Sequence, residues 1–239
     1  MTGIAEERFR IPVALPAGTV EVSAAFGAAD GHLIDGAPIV AIAHGAGAGM
    51  DHPFLLGFSA ALRAEGLRTL RFNFPYVEAG RRMPGPAAHA ILTWRAVIAA
   101  ARERGTGSVF ACGKSYGGRM ASMAAAEEHG LDARALVYLG YPLHQPGKPE
   151  KPRIEHLPAV PQPQLFLEGT NDPFVQPLSQ LEDAVAACQD ARIIWVDGGG
   201  HSFEVKGRKR PPGEVGAGVA PVVAEFVKTG IVGDGEGVS

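Results

Sequence analysis

One serine constrains this chain more than anything else in it. Gly113-Lys114-Ser115-Tyr116-Gly117-Gly118 joins a short apolar run, Ser108 to Cys112, to the alanine-rich stretch Arg119 to Ala126. The run reads as a strand, and the stretch reads as a helix reaching about Glu128, with Gly130 as its stop. Strand, Gly-x-Ser-x-Gly and helix in that order describe a nucleophile elbow, a strained turn that lifts the serine hydroxyl above a sheet. Small residues at 113 and 117 let strand and helix approach closely enough for such a turn. The turn also aims the Tyr116 N–H and the helix N-terminus at one point, where a developing oxyanion would sit. Gly113-Lys114-Ser115 matches the end of a phosphate-binding P-loop as well. That motif requires a glycine five residues earlier, where this chain has Ser108.

Composition narrows the setting. With 239 residues, 46% hydrophobic and 20% charged, the chain is long enough for one α/β domain with a buried core. The expected division is one domain over residues 1–230 and a flexible tail over 231–239. A net charge of −3 supplies no global field for nucleic acid or an anionic membrane. Two cysteines, Cys112 and Cys188, make no disulfide framework. The polar, acid-bearing stretch Met1 to Phe9 does not read as a secretory leader, and no apolar run has the length of a membrane span. The expectation is a cytoplasmic monomer or small homo-oligomer acting on a small molecule.

Taken in order, Phe9–Val13 and Thr19–Phe26 read as a hairpin, and Pro38–His44 as a strand buried on both faces. A helix is expected over Phe54–Glu65, a strand over Arg68–Phe74, a loop from Tyr76 to Pro86 and a helix over Ala87–Arg104. Beyond the elbow come strands at Arg134–Leu139, Gln164–Glu168 and Arg192–Val196, with helices at Pro177–Cys188 and Val215–Lys228. Residues 142–163 hold seven prolines, so they form neither a packed helix nor a central strand. They are the one segment that reads as a lid. About eight strands, the later ones alternating with helices, predict a mostly parallel, doubly wound sheet with an antiparallel N-terminal start.

In such sheets ligands bind outside the carboxyl ends of the strands. Four chemistry-bearing loops fall there: His44-Gly45-Ala46-Gly47-Ala48-Gly49, Ser115, Gly169-Thr170-Asn171-Asp172-Pro173, and Gly198-Gly199-Gly200-His201. A serine hydroxyl needs a base, which His201 supplies. The imidazole needs a partner to fix its tautomer and stabilise its cation, the role read for Asp172 ahead of Glu168 and Asp197. An oxyanion needs fixed donors, expected from the N–H groups of Ala46 and Tyr116. His44 reads as support for that loop, and His144 and His156 as solvated. The 45–49 glycines lack the spacing of a dinucleotide loop, no His/Cys/Asp cluster has metal-ligand spacing, and no cofactor is expected. By position, Met50, Phe54, Tyr76, Tyr141, Phe174 and Phe203 would wall the pocket. Arg81, Arg82 and Arg119 read first as surface residues and second as receivers of a substrate carboxylate, and Lys206, Arg208, Lys209 and Arg210 read as a solvated face that, lying near His201, could meet an anionic substrate.

With these residues in place, the chain resembles the α/β-hydrolase superfamily over essentially its whole length, in the chain order Ser, Asp, His. Gly113-Lys114-Ser115-Tyr116-Gly117-Gly118-Arg119-Met120, Gly169-Thr170-Asn171-Asp172-Pro173-Phe174 and Gly200-His201-Ser202-Phe203 carry the likeness. The set is similar to the dienelactone-hydrolase-type branch, and within it to small hydrolases related to testis-expressed and NSL-complex-subunit proteins. The elbow residue is serine where true dienelactone hydrolases have cysteine. The resemblance implies an eight-stranded sheet without a large cap domain, and a nucleophile, acid and base at Ser115, Asp172 and His201. The activity expected is hydrolysis of carboxylic esters or thioesters of small acyl groups through an acyl-enzyme. The alternatives are an interaction module of the same fold with little turnover, and a peptidase or other non-ester hydrolase.

Overall fold

The computed structural model describes residues 6–30 and 36–230, so the expected C-terminal tail lies outside the described residues. Eight strands form one sheet: β1 (Glu7–Leu15), β2 (Gly18–Gly27), β3 (Ile39–Ala43), β4 (Arg68–Phe72), β5 (Val109–Lys114), β6 (Leu136–Leu139), β7 (Gln164–Gly169) and β8 (Ala191–Val196). Their spatial order is β1-β2-β4-β3-β5-β6-β7-β8. Strand β2 runs antiparallel to both of its neighbours, and from β4 to β8 every pairing is parallel. This is the mixed, mostly parallel sheet expected from the alternation of strands and helices.

Helices α1 (Pro53–Ala64), α2 (Pro75–Glu78), α3 (Ala87–Arg102), α4 (Tyr116–Ala126), α5 (Leu178–Ala186) and α6 (Pro212–Thr229) connect or follow the strands. Side chains alternate across each strand, so the central strands feed two cores. Ile39, Ala41 and Ala43 of β3 join Val109, Ala111 and Phe166 in a core with Trp94, Met120 and Leu181 from α3, α4 and α5. Val40, Ile42, Phe110 and Leu165 face the other way, onto Phe58 of α1 and Val223 of α6. Burial on both faces explains why these strands read as unbroken apolar runs.

Helices α1 and α6 cross closely because glycines line the contact. A Cβ at Gly57 would collide with the backbone of Gly213, and one at Gly216 with the Phe54 carbonyl. Pro221 lies inside α6 without ending it.

Two expectations need correction, one on the strand and loop around Pro75 and one on His144 and His156. The strand predicted to run to Phe74 stops at Phe72, and Pro75 opens the short helix α2 inside what read as a loop. Proline fits the first turn of a helix, where its missing N–H costs nothing. The proline-rich segment is anchored by Leu143, Leu157 and Val160, which are fully buried, while residues 145–148 are exposed. His144 is buried with those aliphatic side chains, and His156 is half-buried with its Nε2 2.7 Å from the Ser122 hydroxyl, so neither is solvated.

Candidate active site

Ser115 stands between β5 and α4 with φ 49° and ψ −114°, a conformation that side-chain-bearing residues rarely adopt. Its surroundings hold it there. A Cβ on Gly117 would come within 2.7 Å of both the Ala43 Cβ and the His44 carbonyl, and one on Gly113 would strike the Gly118 backbone. The Ser115 N–H donates to the Leu139 carbonyl of the next strand at 3.0 Å, and its own carbonyl accepts from Arg119 N–H at 3.1 Å. The strain is thus borne by strand pairing on one side and helix bonding on the other.

The second loop follows β3, which pairs directly with β5, so residues 44–46 leave the sheet beside Ser115. His44 is fully buried. Its Nε2 accepts from the Phe74 N–H at 3.1 Å, which leaves Nδ1–H to donate to the Gly45 carbonyl at 2.8 Å. Burial lowers its pKa to about 4, so the ring is neutral, as this tautomer requires. The Tyr76 hydroxyl reaches the same carbonyl at 3.4 Å. Two side chains therefore fix the peptide that carries the Ala46 N–H, and Ala46 and Tyr116 both line the cleft at Ser115.

The third and fourth loops are tied to each other. After β7, the Asn171 N–H donates to the Gly199 carbonyl at 2.9 Å, and its side-chain amide to the Gly198 carbonyl at 3.2 Å. The Thr170 hydroxyl accepts the Gly198 N–H at 2.8 Å. These bonds bring Asp172 under His201. Asp172 Oδ2 lies 2.6 Å from His201 Nδ1, and Oδ1 accepts the Phe174 N–H at 2.8 Å. On its other side, His201 Nε2 is 2.8 Å from Ser115 Oγ. The Phe174 ring stacks on the imidazole with centroids 4.2 Å apart. Burial holds the His201 pKa below its ordinary value against the opposing bond from Asp172, and the Lys114 charge acts in the same direction as burial.

Serine, histidine and aspartate from three distant segments thus form one hydrogen-bonded row. The rival acids stand elsewhere. Asp197 is exposed, with one oxygen 3.4 Å from the Thr170 hydroxyl. Glu168 is buried and accepts from the Tyr141 N–H, while its other oxygen has no partner. Burial raises its pKa well above the ordinary carboxyl value, against the opposing bond from the Tyr141 N–H.

The row opens on a cleft of about 400 Å³. Of the pocket residues expected from position, Phe54 and Phe174 line it. The other four do not. Met50 is buried, its backbone N–H held by Asn73 and its carbonyl by Arg71. Tyr76 packs against His44 and Tyr116. Tyr141 is enclosed by Tyr138 and Phe166, and Phe203 stacks behind Phe54. Each follows its loop by one or more residues, and the backbone turns it inward to the core.

The cleft wall also holds residues to which the sequence reading gave no role, among them Lys114, His52 and Arg153. Lys114 is buried and its Nζ donates to the His201 carbonyl at 2.7 Å, pinning the loop that carries the imidazole. Burial lowers its pKa to about 8, opposed by Glu168, Asp172 and Glu204. A lysine at the end of an otherwise apolar strand was the available signal. Arg153 had none, because nothing in a proline-rich stretch tells which side chain turns inward. Arg119 is in the wall, while Arg81 and Arg82 are exposed outside it, as are Lys206, Arg208, Lys209 and Arg210.

Comparison with known proteins agrees with this architecture. A family model described as an alpha/beta hydrolase domain matches residues 36–226. Among similar solved structures, an alpha-beta serine hydrolase homologue from Coxiella burnetii is 18% identical, with 97% of this chain and 100% of that one covered and a TM-score of 0.68. A dienelactone hydrolase from Anabaena variabilis is 21% identical, covering 94% and 99%, with a TM-score of 0.67. Est1E from Butyrivibrio proteoclasticus is 15% identical, covering 92% and 96%, with a TM-score of 0.64. With an eight-stranded mixed sheet flanked by helices and a family match over most of its length, this chain belongs to the α/β-hydrolase family.

Proposed function

We propose that this hydrolase is a serine esterase or thioesterase that works through an acyl-enzyme. The observation that carries the reading is the row Ser115–His201–Asp172, with separations of 2.8 and 2.6 Å at the floor of an open cleft. Ser115 Oγ attacks the scissile carbonyl carbon as His201 Nε2 takes its proton. Asp172 keeps the Nδ1–H tautomer in place and stabilises the imidazolium. The carbonyl oxygen, now carrying the charge, is received by the N–H groups of Ala46 and Tyr116, each such donor contributing about 3 kcal/mol to the barrier reduction. The protonated His201 returns its proton to the leaving alcohol or thiol. Water then repeats the sequence against the acyl-serine and frees the acid.

Two features favour small or open-chain acyl groups. The cleft holds about 400 Å³, near the lower end of ligand-site volumes, and the 142–163 segment contributes only Pro142 and Arg153 to its lining. A fluorophosphonate probe tests the assignment. Labelling of the folded protein that disappears in Ser115→Ala, together with turnover of p-nitrophenyl esters or acyl thioesters, is the expected result. Folded protein that takes no label favours an interaction module instead.

A further inference from the structure

The cleft wall carries two guanidinium groups, Arg119 and Arg153, and among the described residues neither has a carboxylate within ion-pair distance. Seven other described arginines form ion pairs, among them Arg63 with Glu6 at 2.7 Å, Arg95 with Glu127 at 2.8 Å and Arg104 with Glu7 at 2.7 Å. Arg119 Nε is buried and has no hydrogen-bond partner. Leaving a buried donor of a charged group unpaired costs free energy unless something arrives to accept it.

Placement sharpens the point. Arg119 is the fourth residue after Ser115, its N–H bonded to the Ser115 carbonyl, so it sits one helical turn, about 5.4 Å, along α4. Helical side chains lean toward the N-terminus, which directs Arg119 back toward the serine. Arg153 is held in the facing wall. Its N–H donates to the Leu143 carbonyl at 2.7 Å, and its carbonyl accepts from the Tyr141 hydroxyl at 3.4 Å. Burial lowers the Arg119 pKa, and the Arg153 charge acts the same way against Tyr141, Glu155 and Tyr116. Glu155, the acid that acts on Arg119 through space, is exposed. His156, on the same segment, has its pKa lowered to about 4 by burial first and by Arg119 second, so it is a neutral ring at physiological pH.

We infer that Arg119 and Arg153 form an oxyanion-recognition subsite of the cleft, selecting esters or thioesters whose acyl or alcohol part bears a carboxylate or phosphate. Two arginines lining one cleft supply the planar, bidentate donors that suit either group, and the anion would offset their like charge. The inference rests on the hydrolase reading for its placement beside the scissile bond, and on the arginine pair for its charge preference.

The test compares kcat/KM for mono-p-nitrophenyl adipate against p-nitrophenyl hexanoate, and for 4-acetoxybenzoate against phenyl acetate. The wild-type protein should prefer at least one anionic member, and added salt should erode the preference. The ratio of anionic to neutral kcat/KM should fall about tenfold or more in Arg119→Gln and in Arg153→Gln, and stay put in Arg82→Gln. The two variants lie on separate elements, so a folding defect in one leaves the other to decide. A ratio unmoved in both variants overturns the subsite. Calorimetric titration of the wild-type protein with adipate and with inorganic phosphate provides an arm independent of turnover. Binding of either that is lost in Arg153→Gln supports the subsite even where no ester is cleaved, a result that would sink the hydrolase reading alone, and the tighter ligand distinguishes carboxylate from phosphate. Binding of neither, or binding unchanged in Arg153→Gln, overturns it.

Discussion

At the scale of single residues, the candidate site is a set of atoms whose electrostatic neighbours are known. His201 must be neutral to accept the Ser115 proton, and burial holds its pKa below the ordinary imidazole value near 6.5. Activity should therefore rise with pH through a point more acidic than 6.5 and then level off, read as the acid limb of kcat/KM against pH. Lys114 contributes to that lowering through its charge. In Lys114→Met the lowering weakens, the His201 pKa rises, and the acid limb moves to higher pH. A limb that stays in place or moves the other way would show that Lys114 has no electrostatic hold on the base. The same substitution removes the donor to the His201 carbonyl, so the variant should also lose about 1–3 kcal/mol of stability in urea unfolding.

At the scale of elements, glycines decide how closely backbones meet. Gly117 lets α4 lie against the end of β3, and its replacement by alanine puts a methyl group 2.7 Å from the Ala43 Cβ and the His44 carbonyl. Overpacking of this kind costs about 1–3 kcal/mol. Because the displaced atoms carry Ser115 and lead into the Ala46 loop, kcat should fall in Gly117→Ala even where the protein is fully folded. Gly57→Ala in α1 makes the contrast. Its added methyl collides with the Gly213 backbone at the α1–α6 crossing, on the opposite face of the sheet from α4. A comparable loss in the urea midpoint is expected there, with a smaller effect on kcat. Equal kinetic damage from both would mean that the elbow has no special sensitivity.

At the scale of the whole molecule, two cores share one sheet. Each central strand contributes alternate side chains to both, as Leu165 and Phe166 do from adjacent positions of β7. Neither core can melt while the sheet that forms its floor remains intact, so unfolding should be a single event. Trp94 lies fully buried in α3 and Trp195 is half-buried on β8 near the far edge of the sheet. Their fluorescence changes, recorded in Trp195→Phe and Trp94→Phe, should coincide with the loss of far-ultraviolet ellipticity at one urea concentration. Separate midpoints would divide the chain into independently folding parts.

The sequence by itself determined whatever is short-range or periodic. Unbroken apolar runs marked β3, β5 and β7 as buried on both faces, and the glycines around Ser115 marked the turn at the end of β5, because steric demands of that kind act between near neighbours. Chain order placed the serine, aspartate and histidine loops at one sheet edge, since parallel strands all end on the same side. Only the tertiary structure decided which side chains of those loops face the cleft. Met50, Tyr76, Tyr141 and Phe203 are buried in the core while Arg119 and Arg153 line the cleft, and a proline-rich stretch is anchored through three buried aliphatic side chains. Apart from the N-terminal lean of a helical side chain such as Arg119, no local rule sets those directions. They come from long-range hydrogen bonds such as Asn171 to Gly199 and Lys114 to His201, which pair residues that chain position alone does not bring together.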